Sequence, residues 1–522
     1  MFFNKYPYTD FHEMNLDWIL RIIKELDQTI DDFTAFNKIT WAGTWDGSVY
    51  PAWTVVDDGA GNGYMSIKPV PANVPLSNSE YWVQVSAYSA LYAAFNDRIE
   101  DLEDLTLYVT PQLYGAAADG VTDDTQAIQA AIDSGKSVLF AGNYLCDTVY
   151  ITDKSNVVYK MISGSIISAG TGTQFRYSGT LSDVTLSGFH AIGTSVVDGA
   201  FFFGASGAVL DGITIENCRI EDYTVGVSFN ADLGGSVKNI RVLNSTFKNI
   251  RGTGSGYGYG VHFANQSADN VGGLVSGCLF DDCQRHAVYI ARGCGYTVVH
   301  NIFMNHKETT HDGNISACIN VSRSWNVIIS DNMLINNYSG GIRIGSELNP
   351  DPSMPLSVYK GDNIIISGNY IDEVETYSII AGWIDPDDGR VGSVKISNNI
   401  CNSSIYVGCC EDLTIIDNTI MGSLSTSRKE SVIIMNTRGS SPYDSMVSVF
   451  NNVLATQTTS RCIYISSSAK DDDIRIVMNV NKTIYALINS ADVPSNILTI
   501  DNDDGLPAGT TYQSIKINGQ TI

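Results

Sequence analysis

The sequence predicts an all-β fold, a parallel β-helix, and three observations carry that prediction. At 522 residues the chain exceeds the span that one hydrophobic core usually organises, which favours several units or one long quasi-one-dimensional stack. Composition decides for the stack: 47 Gly and only 13 Pro, with abundant Asn, Ser, Ile and Val, suit many short strands joined by tight turns. Third, a repeat appears once the segments beyond residue 180 are set in register. Its first half reads ITIENCRI, IRVLNSTF, GLVSGCLF, TVVHNIF, VIISDNML, IIISGNYI, VKISNNI, LTIIDNTI and VSVFNNV; its second half reads GVSF, GVHF, AVYI, CINV, GIRI, IYV and CIYI. Starting points recur roughly every 20 to 37 residues, so each repeat is one coil with two principal strands and loops of variable length. One position runs Cys218, Ser245, Cys278, Asn301, Asn332, Asn369, Asn399, Asn418, Asn452. Stacked amides there hydrogen-bond from coil to coil, a ladder that needs parallel, in-register coils and favours a β-helix over a sandwich or propeller.

The elements follow in order. Within residues 1–40, Leu16, Ile19, Ile23, Leu26, Ile30 and Phe33 alternate spacings of three and four, a heptad seam that predicts a coiled coil; one amphipathic helix packed on a neighbouring domain gives the same pattern. Residues 41–86 read as a small β module of short aromatic-rich strands. Trp41, Trp45, Trp53 and Trp82 serve either as its own core or as platforms for sugar rings. Residues 87–110 form a second helical segment, a coiled-coil neck with Leu91, Phe95, Leu102 and Leu105 on its seam. There the stem of Arg98 can cover the seam while its head meets Glu103 of a neighbouring chain. The β-helix occupies 111–495, with a capping helix near 123–133, and residues 496–522 close the chain. Thr122 and Asp123 are natural caps for a helix starting near Asp124, so the carboxylates of Asp119, Asp123 and Asp124 read as structural rather than catalytic.

Bulk properties exclude several functions. A formal charge of −25 argues against nucleic acid, whose binding relies on Lys and Arg to displace counterions. By charge alone, neutral or cationic glycans fit better. No stretch approaches the ~20 apolar residues of a membrane span, and MFFNKYPYTDFHEMN has acidic and polar breaks where a signal peptide needs an apolar run. Neither membrane insertion nor secretion is expected, and synthesis is cytoplasmic. The ten Cys show no CxxC pair or metal-like spacing and read as small buried residues. DPDDG at 385–389 and DNDDG at 501–505 have the character of Ca²⁺ loops without the glutamate and spacing of an EF-hand, and read as turns. No cofactor is expected beyond a structural Ca²⁺ there.

Period-two alternation points Val227 and Phe229, Val261 and Phe263, Val288 and Ile290, Ile319 and Val321, and Ile342 and Ile344 inward. The residues between them then face out and stack as Ser228, His262, Tyr289, Asn320 and Arg343, about 4.8 Å apart. Such a stripe is a candidate sugar-binding track, or an ordinary solvated face. Five of the seven His cluster at 262, 286, 300, 306 and 311. The loop NHKETTHDGN brings His306, Glu308, His311 and Asp312 beside Arg285 and His286, with Asp281 and Asp282 opening the connection to that pair. Glu308, His286, His311 and Asp312 are therefore the candidate acid/base residues, and His262, Tyr289, Asn320, Arg343 and Arg285 the candidate binders of glycan. His and Arg can equally grip an anionic glycan or a teichoic-acid phosphate.

The stretch LYGAAADGVTDDTQAIQAAIDSGKSVLFAGNYLC at 113–146 closely resembles the opening motif of the pectate-lyase-like superfamily as found in bacteriophage tailspikes. The Arg98–Glu103 hexamer resembles a trimer-specifying motif of parallel coiled coils, and YPYTDFHEMNLDWIL resembles amino termini of tail and neck appendage proteins from phages of Gram-positive hosts. Together these resemblances imply a right-handed parallel β-helix, a homotrimer, and attachment to the phage tail or neck through the N-terminus. They also imply a virion location and a bacterial surface polysaccharide or teichoic acid as partner. A depolymerase, a non-enzymatic adhesin and a purely structural fibre all satisfy them. A pectate-type lyase would need a carboxylate-bound Ca²⁺ beside an Arg or Lys base, and no stretch shows that pattern, which favours a hydrolase.

Overall fold

The computed structural model describes residues 40–85 other than 53 and 61, and residues 108–465 other than short connections, the longest being 346–360, 384–390, 423–429 and 435–445. Beyond 465 it describes the backbone of short strands. The heptad seam, the Arg98 hexamer and both Asp-rich turns lie outside the described residues. The chain divides into two compact units, residues 1–107 and 108–522.

In the first unit, strands Thr40–Thr44, Thr54–Asp57, Gly63–Ser66 and Trp82–Val85 form one four-stranded sheet. Tyr50, Val56, Val70 and Trp82 are its core, and Trp45, Tyr64 and Tyr81 pack against them. Trp45 and Trp82 thus stabilise the module itself.

Near the start of the second unit, after the short strands Tyr108–Val109 and Asp119–Asp123, comes the helix Thr125–Asp133, whose buried Ile128, Ala131 and Ile132 join the apolar core of the coils. The helix starts one residue later than the spacing suggests, and its cap position is Asp124. The Asp124 carboxylate does not cap. It accepts the backbone N–H groups of Ala117 (2.7 Å) and Ala118 (3.0 Å), while Asp123 accepts from Thr125 and Asp119 from Val121 and Thr122. All three carboxylates hold the chain as it enters the first coil.

From there the chain winds through three parallel stacks. One full turn comprises Ser236–Leu243, Thr246–Ile250 and Tyr259–Asn265, each paired in parallel with its counterpart in the next turn: Val271–Ser276, Leu279–Cys283 and the first half of His286–Val299. The third strand is short and apolar on its inner face, and Val227, Phe229, Val261, Phe263, Val288, Ile290, Ile319, Val321, Ile342 and Ile344 are all at most 1% exposed. Phe247, Phe280 and Phe303 stack at 5.0 and 4.9 Å with nearly parallel rings, a second inner ladder.

The corner between the first and second strands repeats one conformation. The first corner residue has positive φ at Asn217, Asn244, Gly277, His300, Asp331, Gly368, Asn398, Asp417 and Asn451. Gly, Asn, Asp and His tolerate that region best. His300 is accordingly a turn residue. The next residue points inward and is the ladder: the Oδ1 of Asn332, Asn369, Asn399, Asn418 and Asn452 each accepts both the backbone N–H and the side-chain amide of the Asn one coil before, at 2.9 to 3.1 Å. Each Nδ2 also donates to a backbone carbonyl, for example Asn369 to Ile329 at 3.0 Å. Every amide valence is filled inside an apolar core, which is what makes burial of these side chains tolerable. Cys218, Ser245 and Cys278 continue the same position where the ladder gives way to smaller groups. Among the described residues nine Cys are free thiols and eight of them are buried, as expected of core residues.

Replacing Asn369 by Leu orphans the Asn332 backbone N–H and removes one partner each from the Asn332 amide and the Asn399 carbonyl oxygen, and an orphaned buried group costs about 1–3 kcal/mol. Thermal unfolding followed by circular dichroism is expected to show a lower midpoint for Asn369→Leu than for the exposed control Lys395→Gln.

Candidate functional site

The third stack carries the outward column in the expected register. Ser228 pairs with His262, His262 with Tyr289, Tyr289 with Asn320 and Asn320 with Arg343. Ser228 and Asn320 are buried, whereas His262, Tyr289 and Arg343 are half-buried. The column is longer than the sequence stripe. It begins at Tyr150, Arg176 and Phe202 and runs on past Arg343 as Ile380, Tyr406, Ile433 and Tyr464. Ile380, Tyr406 and Ile433 form a separate buried apolar cluster with Tyr377 and Tyr464 packed against it, so the polar track stops at Arg343.

In the middle of the column the rings associate. The His262 and Tyr289 rings lie parallel, 5.2 Å apart with 5° between planes. Tyr259 lies beside both, 4.6 Å from His262 and 5.3 Å from Tyr289. The Arg285 guanidinium lies over the Tyr259 ring at 5.3 Å, a cation–π contact. Arg285 Nε and Nη1 are buried and meet no hydrogen-bond partner among the described residues.

His286 is 2% exposed and is held on both sides. Its Nδ1 lies 3.1 Å from the Ala317 carbonyl oxygen, and its Nε2 lies 3.1 Å from the Asn320 amide nitrogen. The Ala317 N–H nitrogen also lies 3.2 Å from Nδ1, so these neighbours hold the ring in place without setting which nitrogen carries its proton. Burial holds its pKa well below the ordinary value, reinforced by the charges of Arg343 and Arg285. Burial, with Arg285 nearby, also takes His262 down to about 3. His306 is fully buried, and burial pushes it down to about 4 against the opposing pull of the Arg285 backbone and the Asp282 charge. Arg343 falls to about 10 by desolvation, still a cation at neutral pH.

The loop before the next coil forms a hairpin of Thr310–His311 with Asn314–Ile315 and re-enters the stack at Ala317, whose N–H donates to the Arg285 carbonyl at 3.3 Å. His311 therefore belongs to a hairpin adjoining Arg285 and His286. Glu308 and Asp312 lie outside the described residues. The structure brings together His262, Arg285, His286, Tyr289, Asn320 and Arg343.

A feature the sequence reading passed over lies at the corner after the second strand. Glu221, Asp222, Lys248, Asn249, Asp281, Asp282 and Asn305 line an open cleft of about 550 Å³. Its carboxylates are all partnered: Glu221 meets Arg219 (2.8 Å) and His190 (2.7 Å), Asp282 pairs with Arg251, Asp222 accepts from Asn249 and Asp281 from Asn305. Glu221 and Asp281 lie two coils apart, about 9.5 Å at ordinary strand spacing. The signal was present, since Glu221-Asp222 and Asp281-Asp282 end equivalent strands; it emerges only when repeats are aligned by strand ends. Among the described residues no three His, Cys, Asp or Glu are grouped to hold a metal, and no helix is long and apolar enough to cross a membrane.

The fold and site together define a parallel β-helix carrying an outward track of rings, guanidinium groups and amides. Comparison with known proteins places it further. No known family profile matches. The chain is homologous to phage capsule depolymerases: it is 30% identical over 166 residues to a K30/K69-specific capsule depolymerase of Klebsiella phage K64-1, covering 27% of this chain and 21% of that protein. It is 26% identical over 278 residues to depolymerase 1, K30/K69-specific, of Klebsiella phage K5-2, covering 41% and 34%, and 21% identical over 318 residues to depolymerase 1, KN3-specific, of Klebsiella phage KN3-1, covering 54% and 38%. The chain thus spans between about a fifth and two fifths of the length of these relatives. In fold it matches the A-module of the mannuronan C-5 epimerase AlgE6 of Azotobacter vinelandii, with TM-score 0.51 and 15% identity over 77% of this chain and all of that one.

The buried histidines make stability depend on pH. A His whose folded pKa is depressed contributes its full stability above the unfolded value of about 6.5 and loses it as pH falls toward the folded value. For His306, with a folded value about 4, the loss by pH 4 is roughly 3 kcal/mol at 1.36 kcal/mol per unit. Thermal midpoints measured from pH 7.5 to 4 are expected to fall below pH 6.5, and His306→Leu to fall less steeply.

Proposed function

We propose that this chain is a subunit of a phage tailspike or appendage that binds a bacterial surface polysaccharide or teichoic acid during host attachment and depolymerises it. The observation that carries this reading is the outward column, where the rings of His262 and Tyr289 stand one coil apart, with Arg285 beside them over Tyr259 and Arg343 two coils beyond Tyr289. Ring faces suit the apolar side of a sugar, and guanidinium and amide groups suit its hydroxyls and acids. Homology to capsule depolymerases supports the polymer-degrading part, and a virion location with it. The partners are two further copies of this chain, arranged as a parallel trimer, and tail or neck proteins met through the N-terminal region.

Cleavage by hydrolysis needs a proton donor and an ionised partner. Glu308 and Asp312 are assigned those roles, with His311 close to both in sequence. His286, buried and neutral with both nitrogens engaged, acts as a positioning residue that orients Asn320. The cleft is a second location, because the Glu221 and Asp281 strand positions are about as far apart as the roughly 6.5–9.5 Å of inverting glycosidases. A non-enzymatic adhesin would use the same column without releasing fragments.

Glu308→Gln is expected to keep binding to host polymer while releasing fragments some 10²–10⁴-fold more slowly. Undiminished release by that variant, with loss in Asp281→Asn, would move cleavage to the cleft. Binding by the wild type with no fragments in either size-exclusion or reducing-end assays would leave an adhesin. Light scattering of the intact protein at micromolar concentration is expected to give three times the chain mass, and a monomer mass would reject the trimer.

A further inference from the structure

The chain as a whole is strongly acidic, yet the middle of its track is not. The described electrostatic influences on His262, His286 and Arg343 come from Arg285, Arg343, Tyr289 and His306, and among the described residues no carboxylate is one of them. Both His262 and His286 are neutral at physiological pH, so the charge of this patch resides in two guanidinium groups. Among the described residues no group satisfies the buried Nε and Nη1 atoms of Arg285, although its guanidinium is steadied over the Tyr259 ring. A donor pair desolvated in this way is costly unless an acceptor completes it. Arg343 stands two coils beyond Tyr289, about 10 Å along the axis. Beyond it the column turns apolar at Ile380, which ends the polar track there.

We propose that Arg285 and Arg343 form an anion subsite, taking a carboxylate or phosphate substituent of the glycan, while Tyr289 and His262 supply the platform for the sugar that bears it. This rests on the column being the glycan-binding face. Neutral histidines alone would supply no charge to an anion. Planar guanidinium groups engage carboxylate and phosphate through paired hydrogen bonds, and a partly desolvated setting strengthens them. The overall negative charge of the protein then works against non-specific attraction of polyanions, so binding depends on placing the acidic group at this one patch.

The test uses the intact protein and purified bacterial surface polymers in three groups, uronate-bearing, phosphate-bearing and neutral, with affinity measured by biolayer interferometry. Wild type is expected to bind one of the charged groups and to lose affinity as salt rises. Arg285→Gln and Arg343→Gln are each expected to weaken that binding about 10- to 100-fold, with partial recovery in Arg343→Lys, at unchanged thermal midpoint. The group retained separates carboxylate from phosphate. Affinity is expected to stay level from pH 5.5 to 8. A decline as pH rises through 6.5 would assign the grip to histidine and overturn the guanidinium subsite. Equal binding of neutral and charged polymers, or full affinity in both Gln variants, would overturn it too while leaving the glycan-binding reading intact. Failure to bind any polymer would instead remove that underlying reading.

Discussion

Coil-to-coil register is the constraint on which everything else in the β-helix depends. Each strand pairs in parallel with the strand one coil on, and a slip of one residue would turn every inward side chain outward. Backbone hydrogen bonds alone resist such a slip weakly, because a shifted strand can pair equally well. The Asn ladder resists it strongly. From Asn332 to Asn452 each amide oxygen takes two donors from the coil before, so a slip would strand both in an apolar interior. The left-handed residue ahead of each ladder position fixes the corner and therefore the phase of the next strand.

The outward column inherits its order from that register. His262 and Tyr289 are 27 positions apart in sequence, and they stack only because the third strands are locked one above the other. The same regularity places Asn320 under Arg343 and within reach of His286. A β-helix can thus build a surface from one side chain per coil, with the loops free to vary in length between them.

Charge is handled differently on the two neighbouring faces. At the corner cleft, carboxylates are partnered by Arg219, His190, Arg251 and asparagine amides. In the column, histidines are held neutral by burial and charge is left to guanidinium groups. The net charge of the whole chain pointed to neutral or cationic glycans. The local arrangement points to anions, because over distances of a few ångströms near neighbours outweigh a screened global average.

The sequence by itself determined the architecture. The repeat, the Asn ladder, the inward apolar pairs, the buried cysteines and the order of Ser228, His262, Tyr289, Asn320 and Arg343 are legible in a single chain once repeats are aligned, whereas the expected two principal strands per coil are three, because the ladder corner splits the first of them. Tertiary structure decided what those residues can do. His286 looked like an acid/base candidate because it lies beside a polar loop; its burial between Ala317 and Asn320 depends on two coils joined by a connection of irregular length. His300 looked like part of a cluster and is a corner residue, a distinction made by backbone conformation and not by residue type. The end of the polar track at Ile380 and the meeting of Glu221 with Asp281 across an intervening coil likewise follow from which strands stack. Alternation fixes which side of a strand a residue occupies, whereas its neighbours, its burial and hence its charge state are fixed only when the coils close on one another.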